Sequence, residues 1–165
     1  MTGNQEGEWQ MVQVAVIGAG EATEREISSA EETGRLIARA GAVLVCGGGG
    51  GVMEAASRGA REAGGTVVGI LPGGGPGNPY LTIAIPTGLG IARNALVIAS
   101  GSIVIAIGGG YGTLSEIGMA LKMGIPVFGI GTWDIPGVIP CATPAEAAAL
   151  ALAPAGARGG VDGKN

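Results

Sequence analysis

The chain contains no histidine and only two lysines, Lys122 and Lys164. The first absence removes histidine-based triads, imidazole metal ligands and imidazole acid–base catalysis. The second removes a Walker phosphate loop: Lys122 follows Leu121, and Lys164, which follows Gly163, is succeeded by Asn165 in place of Ser or Thr. It also leaves nothing suited to a pyridoxal Schiff base: Lys164 lies in the last residues, and Lys122 falls late on an expected helix. Aromatics are as scarce, with two Trp, two Tyr and one Phe. That is too few for a platform that stacks single-stranded nucleic acid. A net charge of −4 and a pI of about 4.8 also argue against a nucleic-acid partner. The two cysteines, Cys46 and Cys141, form no C-x-x-C pair, so no metal site is expected, and a reducing, cytoplasmic setting is. No apolar run approaches the roughly 20 residues of a membrane helix, and the polar, acidic start does not read as a signal peptide.

Glycine is what the chain has in excess: 35 of 165 residues, against an ordinary share of roughly 7%. Such a share can mark disorder. Here 47% of residues are hydrophobic and 13% charged, the reverse of a disordered composition. Collagen is excluded because the glycines come in clumps. One domain over 1–165 is expected, with its core at about 10–153 and a flexible tail over 154–165.

Short β-branched apolar runs at 12–17, 43–46, 66–70, 82–85, 103–107 and 127–130 predict strands buried on both faces. Helices are predicted over 23–40, 52–63, 91–100, 113–123 and 144–153. This alternation implies an α/β fold, a Rossmann-like, doubly wound parallel sheet in three layers. Three segments read T-x-x-E, at Thr23–Glu26, Thr113–Glu116 and Thr143–Glu146, the capping-box pattern of a helix start. Gly64 and Gly124 are expected to end helices in the left-handed conformation.

The glycine clumps fall where predicted strands end. They are Gly18 and Gly20, then Gly47 to Gly51, then Gly73 to Gly75, then Gly108 to Gly110 with Gly112. That edge of an open α/β sheet is where ligands bind, and amides at a helix start favour an anion such as phosphate. A dinucleotide site is not supported. The first clump reads G-x-G-x-x-T, and no acid follows the second strand to hold a ribose. No cofactor is therefore expected. The charges at this edge are Glu54, Arg93 and Glu116. Each has a plainer alternative: a first-turn glutamate, an exposed arginine, and a capping glutamate.

The run from Gly108 to Glu116, G-G-G-Y-G-T-L-S-E, resembles the P-G-G-x-G-T-x-x-E signature of the LOG ("lonely guy") family, whose members were once labelled possible lysine decarboxylases. The run from Gly47 to Ala60 is similar to that superfamily's G-G-G-x-G-[IV]-M-E-A-A segment. Two departures, Gly108 for the signature's proline and Asn94 for its lysine, resemble the branch of molybdenum-cofactor carrier proteins. The resemblance implies a homodimer or higher homo-oligomer and a phosphorylated nucleotide or pterin ligand. Phosphate contacts fall on Gly109, Gly110, Tyr111, Gly112 and Thr113. The rest of the ligand falls on Gly20, Gly48, Gly49, Met53, Glu54 and Asn94.

The leading expectation is a nucleoside 5′-monophosphate phosphoribohydrolase. Glu116 would stabilise the charge developing on the sugar, and Arg93 would hold the substrate and assist the departing base. The alternative is a carrier that binds a phosphorylated small molecule, such as the molybdenum cofactor, without turnover. A lysine decarboxylase is set aside on the lysine count.

Overall fold

Strands and helices alternate along residues 11–154, the part of the chain described by the computed structural model. The strands are β1 (Gln13–Gly18), β2 (Val43–Cys46), β3 (Val67–Leu71), β4 (Ile83–Pro86), β5 (Ile103–Ile107), β6 (Val127–Ile130) and β7 (Val138–Pro140). The helices are α1 (Glu24–Arg39), α2 (Val52–Glu62), α3 (Asn94–Ser100), α4 (Tyr111–Lys122) and α5 (Pro144–Leu152). The tail expected over 154–165 lies, beyond Pro154, outside the described residues.

All strand pairs are parallel, in the order β4-β3-β2-β1-β5-β6-β7. The chain winds outward from β1 to one edge, then restarts at β5 on the other side of β1. This is the doubly wound sheet expected from the sequence, and its switch point lies between β1 and β5. The central strands are apolar throughout because each covers two cores. Val14 and Val16 of β1 pack with Ile37 of α1, Ala56 of α2 and Ala147 of α5. Ala15 and Ile17 pack with Ile98 of α3 and Ile117 of α4. Each buried valine or isoleucine contributes about 1.5–3 kcal/mol.

One pair of glycines sets the spacing of α1 and α2. A Cβ on Gly34 would overlap the carbonyl of Ala56, and one on Gly59 would overlap the carbonyl of Glu31. The two backbones touch where a side chain would separate them.

Helix starts only partly follow the T-x-x-E pattern. At α1 the box is complete: Thr23 Oγ1 accepts from Glu26 N–H, and Glu26 Oε2 accepts from Thr23 N–H at 2.8 Å. At α5, Thr143 Oγ1 accepts from Glu146 N–H, but the Glu146 carboxylate turns to the amide of Ala142. At α4 the box is absent. That helix begins at Tyr111, with Gly110 as its N-cap and no side chain on its free amides. Thr113 and Glu116 therefore sit inside the helix, and neither side chain caps it. Gly64 and Gly124 do carry positive φ after α2 and α4.

Further differences from the sequence reading are local. Strand β4, expected to be buried on both faces, lies at the sheet edge and is exposed at all four positions. The predicted helix at 91–100 divides into a 3-10 turn, Gly90–Arg93, and α3. Strand β7 was not predicted. It has three residues, lies at a sheet edge and ends in proline, so it carries no apolar run. Among the described residues, no helix is long and apolar enough to cross a membrane.

Candidate functional site

The carboxyl ends of β1 and β5 open on a cavity of about 320 Å³ at the switch point. Gly18, Ala19 and Gly20 line it after β1. Met53 enters from α2, Arg93 and Asn94 from the start of α3, and Gly110, Gly112, Thr113 and Glu116 from α4. Its size lies at the lower end of small-molecule sites, about 300–1,000 Å³.

The α4 rim is anchored through its carbonyls. The Thr132 hydroxyl donates to Gly108 O at 2.6 Å, and the Trp133 indole donates to Gly110 O at 3.2 Å. The first intrahelical bond runs from Leu114 N–H to Gly110 O. The amides of Tyr111, Gly112 and Thr113 precede it and receive no capping side chain. They form the free positive end of a helix, suited to a phosphate. The conformation at Gly108 is fixed: φ is +52°, its N–H donates to Ile130 O, and an added Cβ would overlap Glu26 Oε1. Proline, locked near −65° and without an N–H, cannot occupy this backbone. The departure from the family's signature proline is thus built into the loop.

Arg93 is a structural bridge. Its Nε donates to Ile70 O at 2.8 Å, its Nη2 donates to Gly47 O at 3.2 Å, and its Nη1 donates to Asn94 Oδ1. It joins the ends of β2 and β3 to the start of α3. No sequence motif announces this, because the two carbonyls are distant in the chain.

Glu116 is the opposite case. It is only 8% exposed, yet its carboxyl has no hydrogen-bond or ion-pair partner among the described residues. Burial pushes it up to about 7, and the Arg93 charge nearby pulls it down only in part.

The structure brings together Gly20, Met53, Arg93, Asn94, Gly110, Gly112, Thr113 and Glu116. Gly109 and Tyr111 belong to the same rim without lining the cavity, and the Tyr111 ring points outward beside Trp133, 6.0 Å between centroids. Gly49 lies against Met53 and Gly48 against Leu71, outside the lining, their carbonyls bonded by the side chain and backbone of Asn78 respectively. Asn78, buried and absent from the sequence reading, fastens this rim to the segment before β4. Glu54 lies near Gly50, outside the lining. No group of three or more His, Cys, Asp or Glu among the described residues could hold a metal ion.

A family model, LDcluster4 (SLOG cluster4 family), matches residues 11–152. An uncharacterized protein of Archaeoglobus fulgidus is 49% identical over 115 residues, 69% of this chain and 76% of its own length. The molybdenum cofactor binding protein from the phototrophic bacterium Rippkaea orientalis has a similar structure: TM-score 0.80, 38% identity, covering 84% of this chain and 93% of its own. The Moco carrier protein from Chlamydomonas reinhardtii gives TM-score 0.79 and 37% identity over 85% of this chain and 94% of its own.

These relatives correct the expectation of a phosphoribohydrolase. Proteins named for binding or carrying a cofactor match nearly the whole described chain, in sequence and in fold. The geometry agrees. Arg93 is held in place by two backbone carbonyls, as part of the frame of the site.

Proposed function

Because the chain belongs to the SLOG cluster4 family, we propose that it is a non-catalytic carrier for a phosphorylated pterin of the molybdenum-cofactor class. The observation that carries this reading is the uncapped start of α4 at the switch-point cavity. Helices α1 and α5 close their first turns with threonine; α2, α3 and α4 have no side-chain cap, and α4 brings Gly110, Gly112 and Thr113 of its start to the cavity. The donor set fits such a group. Amides of Gly112 and Thr113 suit the phosphate, while Asn94 and a protonatable Glu116 offer polar contacts to a heterocycle. The molybdenum of such a cofactor is cargo, held through its organic part.

This reading places the protein in the cytoplasm, supported by two free, buried cysteines. It excludes nucleic acid as a ligand, supported by the acidic charge balance. It also includes self-association. Of the apolar residues Ala92, Ala95, Leu96 and Val97, Ala92 and Leu96 are exposed, as are Ile83, Ile85 and Ile91, whereas Ala95 is half-buried and Val97 is buried and contributes nothing to such a face.

The test is direct. The purified protein should retain a phosphorylated pterin through gel filtration and return it intact. Incubated with AMP, it should release no adenine on chromatography. Release of adenine would overturn the non-catalytic reading.

A further inference from the structure

The Glu116 carboxyl stands one helical turn from the amides of Gly112 and Thr113. Residues three and four apart on a helix are neighbours, about 5–6 Å between Cβ atoms. All three line one cavity. A phosphate seated on those amides therefore lies beside Glu116, and two like charges in one partly closed site repel.

That repulsion is offset only in part. Arg93 is the cation facing Glu116; three of its five N–H donors are held by Ile70 O, Gly47 O and Asn94, and its charge lowers Glu116 without outweighing burial. Behind it lies the Cys46 thiol of β2, itself pushed up by burial and by the Glu116 charge among smaller effects. The elements packed on α4 are α3, β1, β5 and β6, and none carries an Asp, Glu, Lys or Arg. Glu26 reaches the Gly109 amide from α1, on the far side of the loop. Glu54 of α2 lies outside the lining.

We propose that a phosphorylated ligand enters this cavity only with Glu116 protonated, so that each binding event takes up one proton and Glu116 sets the pH range of loading and release. The inference rests on the reading of the cavity as a phosphate-ligand site and adds its regulation. A neutral carboxyl also presents one donor and one acceptor to the ligand, where a carboxylate presents acceptors alone.

The free-state value of about 7 gives the expected size of the effect. Affinity should fall about fivefold from pH 7 to pH 8, then approach tenfold for each further pH unit. Glu116→Gln, which mimics the neutral form, should bind more tightly than the native protein at pH 8 and lose this dependence. The experiment is isothermal titration with neopterin monophosphate at pH 8, in two buffers of different ionisation enthalpy. That pH is above the phosphate's own second ionisation, near 6. The expected result is uptake of close to one proton by the native protein and none by Glu116→Gln. Binding without proton uptake, or weaker binding by Glu116→Gln at pH 8, overturns the inference and leaves the ligand reading standing. No binding by the native protein even at pH 6.5 overturns the ligand reading and the inference with it.

Discussion

Arg93 and Glu116 face the same cavity and do not pair. The guanidinium is held on Ile70 O, Gly47 O and Asn94, so it only lowers the carboxyl from a distance. One residue builds the site and the other is left with an unspent charge. The same two residue types, placed in contact, would have made a salt bridge and closed the pocket.

The stability of the unliganded protein should carry the mark of Glu116. Its pKa is raised to about 7 from an ordinary 4.5, so the folded chain binds more protons than the unfolded chain between those values. Stability therefore falls as pH rises through that window and levels off above it. The penalty at pH 8 is about 3 kcal/mol. Glu116→Gln should be more stable than the native protein at pH 8 by up to that amount, and equal to it at pH 4. Urea denaturation at the two pH values checks this.

Removing the bridge should loosen the frame. Arg93→Ala leaves two carbonyls without their charged donor and should cost about 2–4 kcal/mol. Arg93→Lys should recover only part, since an ammonium cannot span both strand ends. In Arg93→Ala, Glu116 should titrate higher, having lost the cation that lowers it. Carboxyl-detected NMR titration measures that shift.

The glycine loop should separate folding from binding. Gly108→Ala forces a side chain into positive φ and into Glu26, a cost of about 2 kcal/mol or more. Gly110→Ala meets nothing within 4 Å, and as an N-cap its φ of −103° suits any residue. It should leave the melting temperature unchanged while weakening ligand binding at the cavity it lines. Thermal melts beside binding curves distinguish the two.

The α1–α2 contact should be intolerant of any side chain. Gly34→Ala or Gly59→Ala places a methyl on a facing carbonyl and should destabilise by about 1–3 kcal/mol, as overpacking does. Ligand affinity per folded molecule should not change. Denaturation curves with and without ligand test both parts.

How much of this was legible depends on range. The strands were, because runs such as Ile103–Ile107 are apolar at every position and only a doubly covered sheet explains that. The placement of the glycine clumps at strand ends was too. The start of α4 misled, because Thr113 and Glu116 share the spacing of a capping box and only Gly110, two residues before Gly112, marks the true boundary. The role of Arg93 was not readable, as its carbonyl partners lie 23 and 46 residues away. Nor was that of Asn78, or of Gly34 and Gly59, lone glycines outside any clump. The hydrolase expectation failed for a related reason. The motif supplies an arginine and a glutamate but not whether either is free to act.

The most direct measurement is an NMR titration of the 15N-labelled protein with neopterin monophosphate at pH 6.5. The expected result is a saturable shift of the amides of Gly110, Tyr111, Gly112 and Thr113, one ligand per chain, with the ligand unchanged afterwards. Saturable shifts centred elsewhere, or a ligand recovered as cleaved products, would contradict a carrier that holds its cargo at the start of α4.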